Sequence, residues 1–137
     1  MGFKLMCYMV IILSFLHAQV HGSKDVGKSK KFVLITVLHN EHVGERVEEY
    51  ITCLKRNLNH KMIEKIHVIY DSSNDKKTEE HPLLDYLQRL EIELAYVDVR
   101  PTFDSLFSIA NTVYPYKKVI ISNADIYFNQ TLNVLIN

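Results

Sequence analysis

A chain of 137 residues with 47% hydrophobic and 23% charged side chains has the composition of one ordinary globular domain, not of a disordered or fibrous protein. Its formal net charge of +0 leaves no electrostatic case for nucleic acid or an anionic membrane surface as a partner. The seven histidines are scattered, with no His-Glu-x-x-His pattern of a zinc-binding helix, so a zinc site is not expected.

The first segment reads as a targeting signal. Lys4 supplies a positive start, Leu5 to Leu16 is apolar, and Val20-His21-Gly22 places small residues at the −3 and −1 positions of a cleavage site before Ser23. The run is too short for an ordinary membrane-spanning helix; an uncleaved anchor is the alternative. Residues 1–22 are thus expected to be a signal peptide, which implies the secretory pathway (the ER or Golgi lumen) or secretion. Cys7 leaves with it, so Cys53 is the only thiol of the mature chain and no intrachain disulfide can form. Its place on an apolar helix face predicts a buried small hydrophobe. Residues 23–31 are polar and lysine-rich, a flexible stem before a domain over 32–137.

Phe32 to Leu38 is a β-rich apolar run without helical spacing and predicts the first strand. It opens into the polar turn His39-Asn40-Glu41-His42-Val43-Gly44. From Glu45 to Asn59, apolar residues at 47, 50, 51, 54 and 58 follow the helical period and predict an amphipathic helix. Ile66 to Tyr70 is a second strand, ending in the turn formers Asp71-Ser72-Ser73-Asn74-Asp75. Pro82 suits the first turn of a second helix lined by Leu83, Leu84, Leu87 and Leu90. Ile92 to Val99 is a third strand, and Pro101-Thr102 opens a third helix carrying Phe103, Leu106, Phe107, Ala110 and Val113. After Pro115, Val119 to Ser122 reads as a fourth strand buried on both faces. The last residues from Thr131 begin another helix.

Strands alternating with helices across short connections predict an α/β, Rossmann-like fold: a mostly parallel sheet of about four strands flanked by helices. All four strand ends carry polar residues: Thr36, His39 and Asn40; Asp71 and Ser72; Asp98 and Arg100; Asn123 and Asp125. They are expected to form a polar rim on the carboxyl edge, where open α/β sheets bind ligands. Asp125 suits a hard cation shared with a phosphate, because Mg²⁺-like ions use one or two carboxylates plus substrate oxygens; it is equally a residue that starts a turn. Asp71 stands where nucleotide-binding folds place a carboxylate for the ribose or base, or it caps its turn. Arg100 pairs with a pyrophosphate or with Asp98. His39 and His42 are ligand donors or simply solvated, and Glu41 is a general base only if substrate reaches it. Phe103 and Phe107 read as core in preference to a sugar-stacking platform.

Neither a glycine-rich dinucleotide loop nor a Walker lysine loop is present, since the first strand–helix turn holds only Gly44. A nucleotide's phosphates would then be neutralised by a bound divalent cation. Asn129-Gln130-Thr131 is a glycosylation sequon, made relevant by the signal peptide; a glycan there, four residues from Asp125, is expected either to crowd a working site or to show that the site is not used.

Around Asn123-Ala124-Asp125 the chain resembles GT-A-fold glycosyltransferases, enzymes that use nucleotide sugars. The parallel is an apolar strand ending in a DxD-type metal motif followed by the aromatic pair Tyr127-Phe128. Phe32-Val33-Leu34-Ile35-Thr36 leading into His39-Asn40-Glu41 is similar to that fold's first strand and turn, and Arg46 to Tyr70 resembles the segment leading to an acidic uridine-side residue at Asp71. The resemblance spans residues 32 to 135, the donor-binding half of such enzymes, and it implies a partial GT-A fold with the acceptor-binding half lying beyond residue 137. It implies Mn²⁺ or Mg²⁺ on Asp125, with Asn123 where many members carry the first Asp, and a nucleotide-sugar donor of the UDP type. Thr36, Asn40, Asp71, Arg100 and Asn123 are then expected around the nucleotide. The sugar, the acceptor (glycan, protein or lipid) and the catalytic base stay open. The alternative reading is a secreted α/β binding module, or a truncated relative, without catalysis. A nucleotidyltransferase shares the sheet and metal logic but usually has a glycine-rich first turn.

Overall fold

The computed structural model describes residues 11–13, 31–76 and 81–136. Apart from residues 11–13 and 31, the expected signal peptide and stem lie outside the described residues. The elements run β1 (Ile11–Leu13), β2 (Phe32–His39), α1 (Gly44–Leu58), β3 (Ile63–Asp71), α2 (Pro82–Leu87), β4 (Glu93–Val97), α3 (Phe103–Val113) and β5 (Lys118–Ile121), followed by a 3₁₀ helix over Gln130–Ile136. The sheet order is β1-β5-β2-β3-β4. Strands β2 to β5 are mutually parallel, and β1 lies antiparallel along the outer edge of β5.

The expected α/β Rossmann-like architecture is what forms, because each strand is an apolar run followed by an amphipathic helix. β2 and β5 occupy the centre, and their runs are buried on both faces, as parallel strands covered by helices must be. Period-two alternation splits their side chains. Phe32, Leu34 and Leu38 join Val68, Tyr70 and Ile120 in one core, packed under Tyr50 and Leu54 of α1 and Leu83 and Leu87 of α2. Val33, Ile35, Val119 and Ile121 face the other way, against Leu106 and Ala110 of α3. Cys53 is buried on the apolar face of α1, and burial raises its thiol pKa, which fits the expected inert hydrophobe.

Some element ends differ from the expectation. β3 begins three residues earlier, where Ile63 covers the base of the core. β4 stops at Val97, leaving Val99 72% exposed in the bend that follows. α2 stops at Leu87, and the chain reaches Leu90 and Ile92 through turns that still pack on the core. Thr102 and Ser105 form a reciprocal capping box that starts α3 after Pro101. The last segment is a 3₁₀ helix with Leu132 buried.

The order of the parallel strands creates one topological break. From β2 the chain moves outward through α1 to β3 and α2 to β4; α3 then carries it back to β5 on the other side of β2. Ligand crevices in open α/β sheets form at the carboxyl ends of two such strands, where the winding reverses. Here those strands are β2 and β5.

Candidate functional site

A cleft of about 720 Å³ opens at that break. Val37 and His39 end β2 at its floor, and Ile121, Ser122, Asn123, Ala124 and Asp125 continue β5 along it. Asp71 and Asn74 come from the end of β3, Arg46 and Tyr50 from the first turns of α1. Arg100, Pro101, Thr102, Phe103 and Leu106 close it from the start of α3. Four of the six residues expected around a ligand are therefore brought together: Asp71, Arg100, Asn123 and Asp125.

Thr36 and Asn40 are not among the lining residues. The reason is strand parity. The cleft takes the odd positions Val37 and His39 of β2, whereas Thr36 lies on the even side with Leu34 and Leu38, facing α1 and α2. Its hydroxyl is buried without a hydrogen-bond partner, as are both polar atoms of the Asn40 side chain. The same parity carries Asp71 into the cleft, since it pairs with His39 across the β2–β3 ladder.

Asp125 is the most constrained charge in the site. Its side chain is 5% exposed, Oδ2 lies 3.5 Å from Nη2 of Arg46, and Oδ1 is buried with no hydrogen-bond partner. The segment beyond it is held by Asn57, a buried residue of α1: its Nδ2 donates to the Ile126 carbonyl and its Oδ1 accepts the Phe128 N–H, both at 2.9 Å. Asp71 is buried as well, and its Oδ1 accepts the Ser73 N–H at 2.9 Å. The turn-cap role and the place in the cleft thus coexist in one residue. Arg100 is exposed and forms no ion pair with Asp98, which leaves that pairing out.

Arg46 was not singled out from the sequence. Its guanidinium lies 5.1 Å from the centroid of the Tyr50 ring, donates to the Tyr50 hydroxyl at 3.1 Å and pairs with Glu49 at 2.7 Å. A basic residue in the first turn of a helix that follows the first strand is the one signal that marked it. Glu41 has a structural job outside the cleft lining: Oε1 accepts the Val43 N–H at 3.0 Å, and Oε2 lies 3.8 Å from His39 Nε2. Phe107 packs on the α3-side core as expected, but Phe103 is 48% exposed at the lip of the cleft. Tyr127 is also half exposed, under the Arg56 guanidinium at 4.1 Å.

Among the described residues no group of three or more His, Cys, Asp or Glu is placed to hold a metal. A cation at Asp125 would therefore draw one protein carboxylate, with its other ligands from substrate oxygens and water. The unpartnered Oδ1 fits that role, and Mg²⁺-like ions bind in this manner. A Cβ added at Gly44 would meet nothing within 4 Å, so packing among the described residues does not require a glycine there. Among the described residues no helix is long and apolar enough to cross a membrane. No protein-family model, curated protein or solved structure matches the chain.

Proposed function

We propose that this chain is a glycosyltransferase-type donor-binding domain of the secretory pathway, whose cleft holds a nucleotide sugar of the UDP type through Mn²⁺ or Mg²⁺ on Asp125. The observation that carries the reading is the buried Asp125 carboxylate, with one oxygen lacking any partner, in a cleft at the switch point of the sheet. Arg46 meets one carboxylate oxygen only at 3.5 Å, and leaving the other buried oxygen without a partner is costly unless a bound cation completes it. Asp71, at the end of β3, serves the ribose or base. Arg100 and Asn123 lie where they can meet the diphosphate and the sugar. Thr36 and Asn40, which do not line the cleft, take no part in this reading. In glycosyl transfer the cation neutralises the diphosphate as it leaves. The protein's part is to hold that diphosphate in place.

Calorimetric titration tests this directly. UDP should bind only when Mn²⁺ is present, and Asp125→Ala should abolish the binding; a variant that binds UDP as well as the wild type does would sink the proposal.

One observation favours the non-catalytic binding module. The carboxylates that line the cleft are Asp71 and Asp125, while Glu41, the candidate general base, is engaged with Val43 and His39. On that reading the cleft binds the nucleotide sugar in the same way and no sugar is transferred; a product assay with UDP-sugars separates the two.

A further inference from the structure

We infer that Arg46 is a diphosphate ligand, gripping the phosphate that a cation on Asp125 brings into the cleft; this rests on the donor-site reading above. Asp125 uses only one of its oxygens on Arg46, and at 3.5 Å that contact is an ion pair too long for a good hydrogen bond. The other oxygen, Oδ1, is buried and unpartnered, in a residue that lines the cleft. Asp125 would hold such a cation, and a phosphate bound to it would also meet Arg46, whose guanidinium sits beside the other carboxylate oxygen and lines the same cleft. An oxyanion that can coordinate the cation and face an arginine at the same time is a phosphate, and a diphosphate supplies two such groups.

The guanidinium is preorganised for this contact. It is laid against the Tyr50 ring, fixed by the Tyr50 hydroxyl and by Glu49, and remains 38% exposed toward the cleft it lines. Its hydrogen bonds to Glu49 and Tyr50 engage two of the five N–H donors that an arginine carries in its planar fork. Ordering a long side chain costs rotamer freedom, and here that cost is met before ligand arrives. Arg100 lines the cleft from the α3 side, so phosphate can be held by side chains of both arms of the switch point. This replaces the glycine-rich cradle that the sequence lacks.

The experiment uses the whole chain with saturating Mn²⁺, titrated separately with UDP and with uridine. Arg46→Gln should weaken UDP about ten- to hundredfold, the loss of a charge-assisted hydrogen bond, while uridine binding stays unchanged. Arg46→Lys, which keeps the charge but not the fork, should fall between. An Arg46→Gln variant within twofold of wild type for UDP overturns the inference. Equal losses for UDP and uridine overturn it too, because they would mean that Arg46 only supports the fold. If the wild-type chain fails to bind UDP in Mn²⁺, it is the donor-site reading that fails, and the inference falls with it.

Discussion

Among the described residues His67 is the one histidine buried in the sheet, 8% exposed on β3. Its Nδ1 shares a hydrogen bond with the Tyr114 hydroxyl at 2.8 Å, and its Nε2 is buried without a partner. Burial, the largest cause, lowers its pKa below the usual 6.5, with Lys65 adding in the same direction and Glu93 opposing. The neutral ring is thus the form the fold accepts. Above about pH 6.5 the ring is neutral in both the folded and unfolded states, and its contribution to stability is fully present. As pH falls below that value the unfolded chain takes up a proton that the fold refuses, so stability drops, by at most about 1.4 kcal/mol per pH unit for one proton. Urea midpoints between pH 7.5 and 5 should show this slope flattened in His67→Gln relative to wild type; parallel curves for the two proteins would exclude His67 as the cause. A histidine inside an apolar strand was visible in the sequence, but its partner, 47 residues later at the end of α3, was not.

At the scale of elements, α1 does more than cover the sheet. One face carries the apolar stripe Val47, Tyr50, Ile51, Leu54 and Leu58 that the spacing predicts. Asn57 is buried within that stripe and clamps the chain between Ile126 and Phe128 with both ends of its amide. An amide buried in a helix face is stable only when its donors and acceptors are matched, and these backbone groups match it. Asn57→Ala removes two hydrogen bonds and strands their backbone partners, so it should destabilise the fold by about 2–3 kcal/mol. Denaturant unfolding checks this; a change under about 0.5 kcal/mol would mean that the segment after Asp125 is held by its other contacts. The stripe itself was readable as a period. The clamp was not, because a polar residue near an apolar face looks the same in sequence with or without a partner.

Across the whole molecule, α1 also separates two sites that are close in sequence. Asp125 meets Arg46 in the helix's first turn, whereas the Asn129 carbonyl accepts from His60 Nε2 at 2.9 Å, past the helix's other end. Asn129 and Thr131 are exposed, and the Thr131 hydroxyl donates to Asn129 Oδ1 at 2.6 Å. Asn129 is exposed and is not among the residues that line the cleft, so a glycan there would be attached outside it. Chain passed through a secretory host should therefore carry one glycan, removed by Thr131→Ala, with UDP affinity the same in both forms. Failure of a glycosidase to shift the mass of the secreted chain would contradict this, as would tighter UDP binding after the glycan is lost.

What the sequence determined by itself was the alternation of strands and helices, the face each helix buries, and the candidacy of Asp71 and Asp125 at the ends of buried strands. Each of these follows from local periodicity and from turn-forming residues, which act over a few positions. Strand parity, legible in principle, already separates Thr36 and Asn40 from His39. Only the tertiary structure decided that the first and fourth predicted strands lie side by side, that Arg46 reaches Asp125 across the cleft, and that Phe103 stands at its lip. Those contacts join residues tens of positions apart. Their geometry depends on the reversal of winding between β2 and β5, a property of how the elements pack that no local pattern carries.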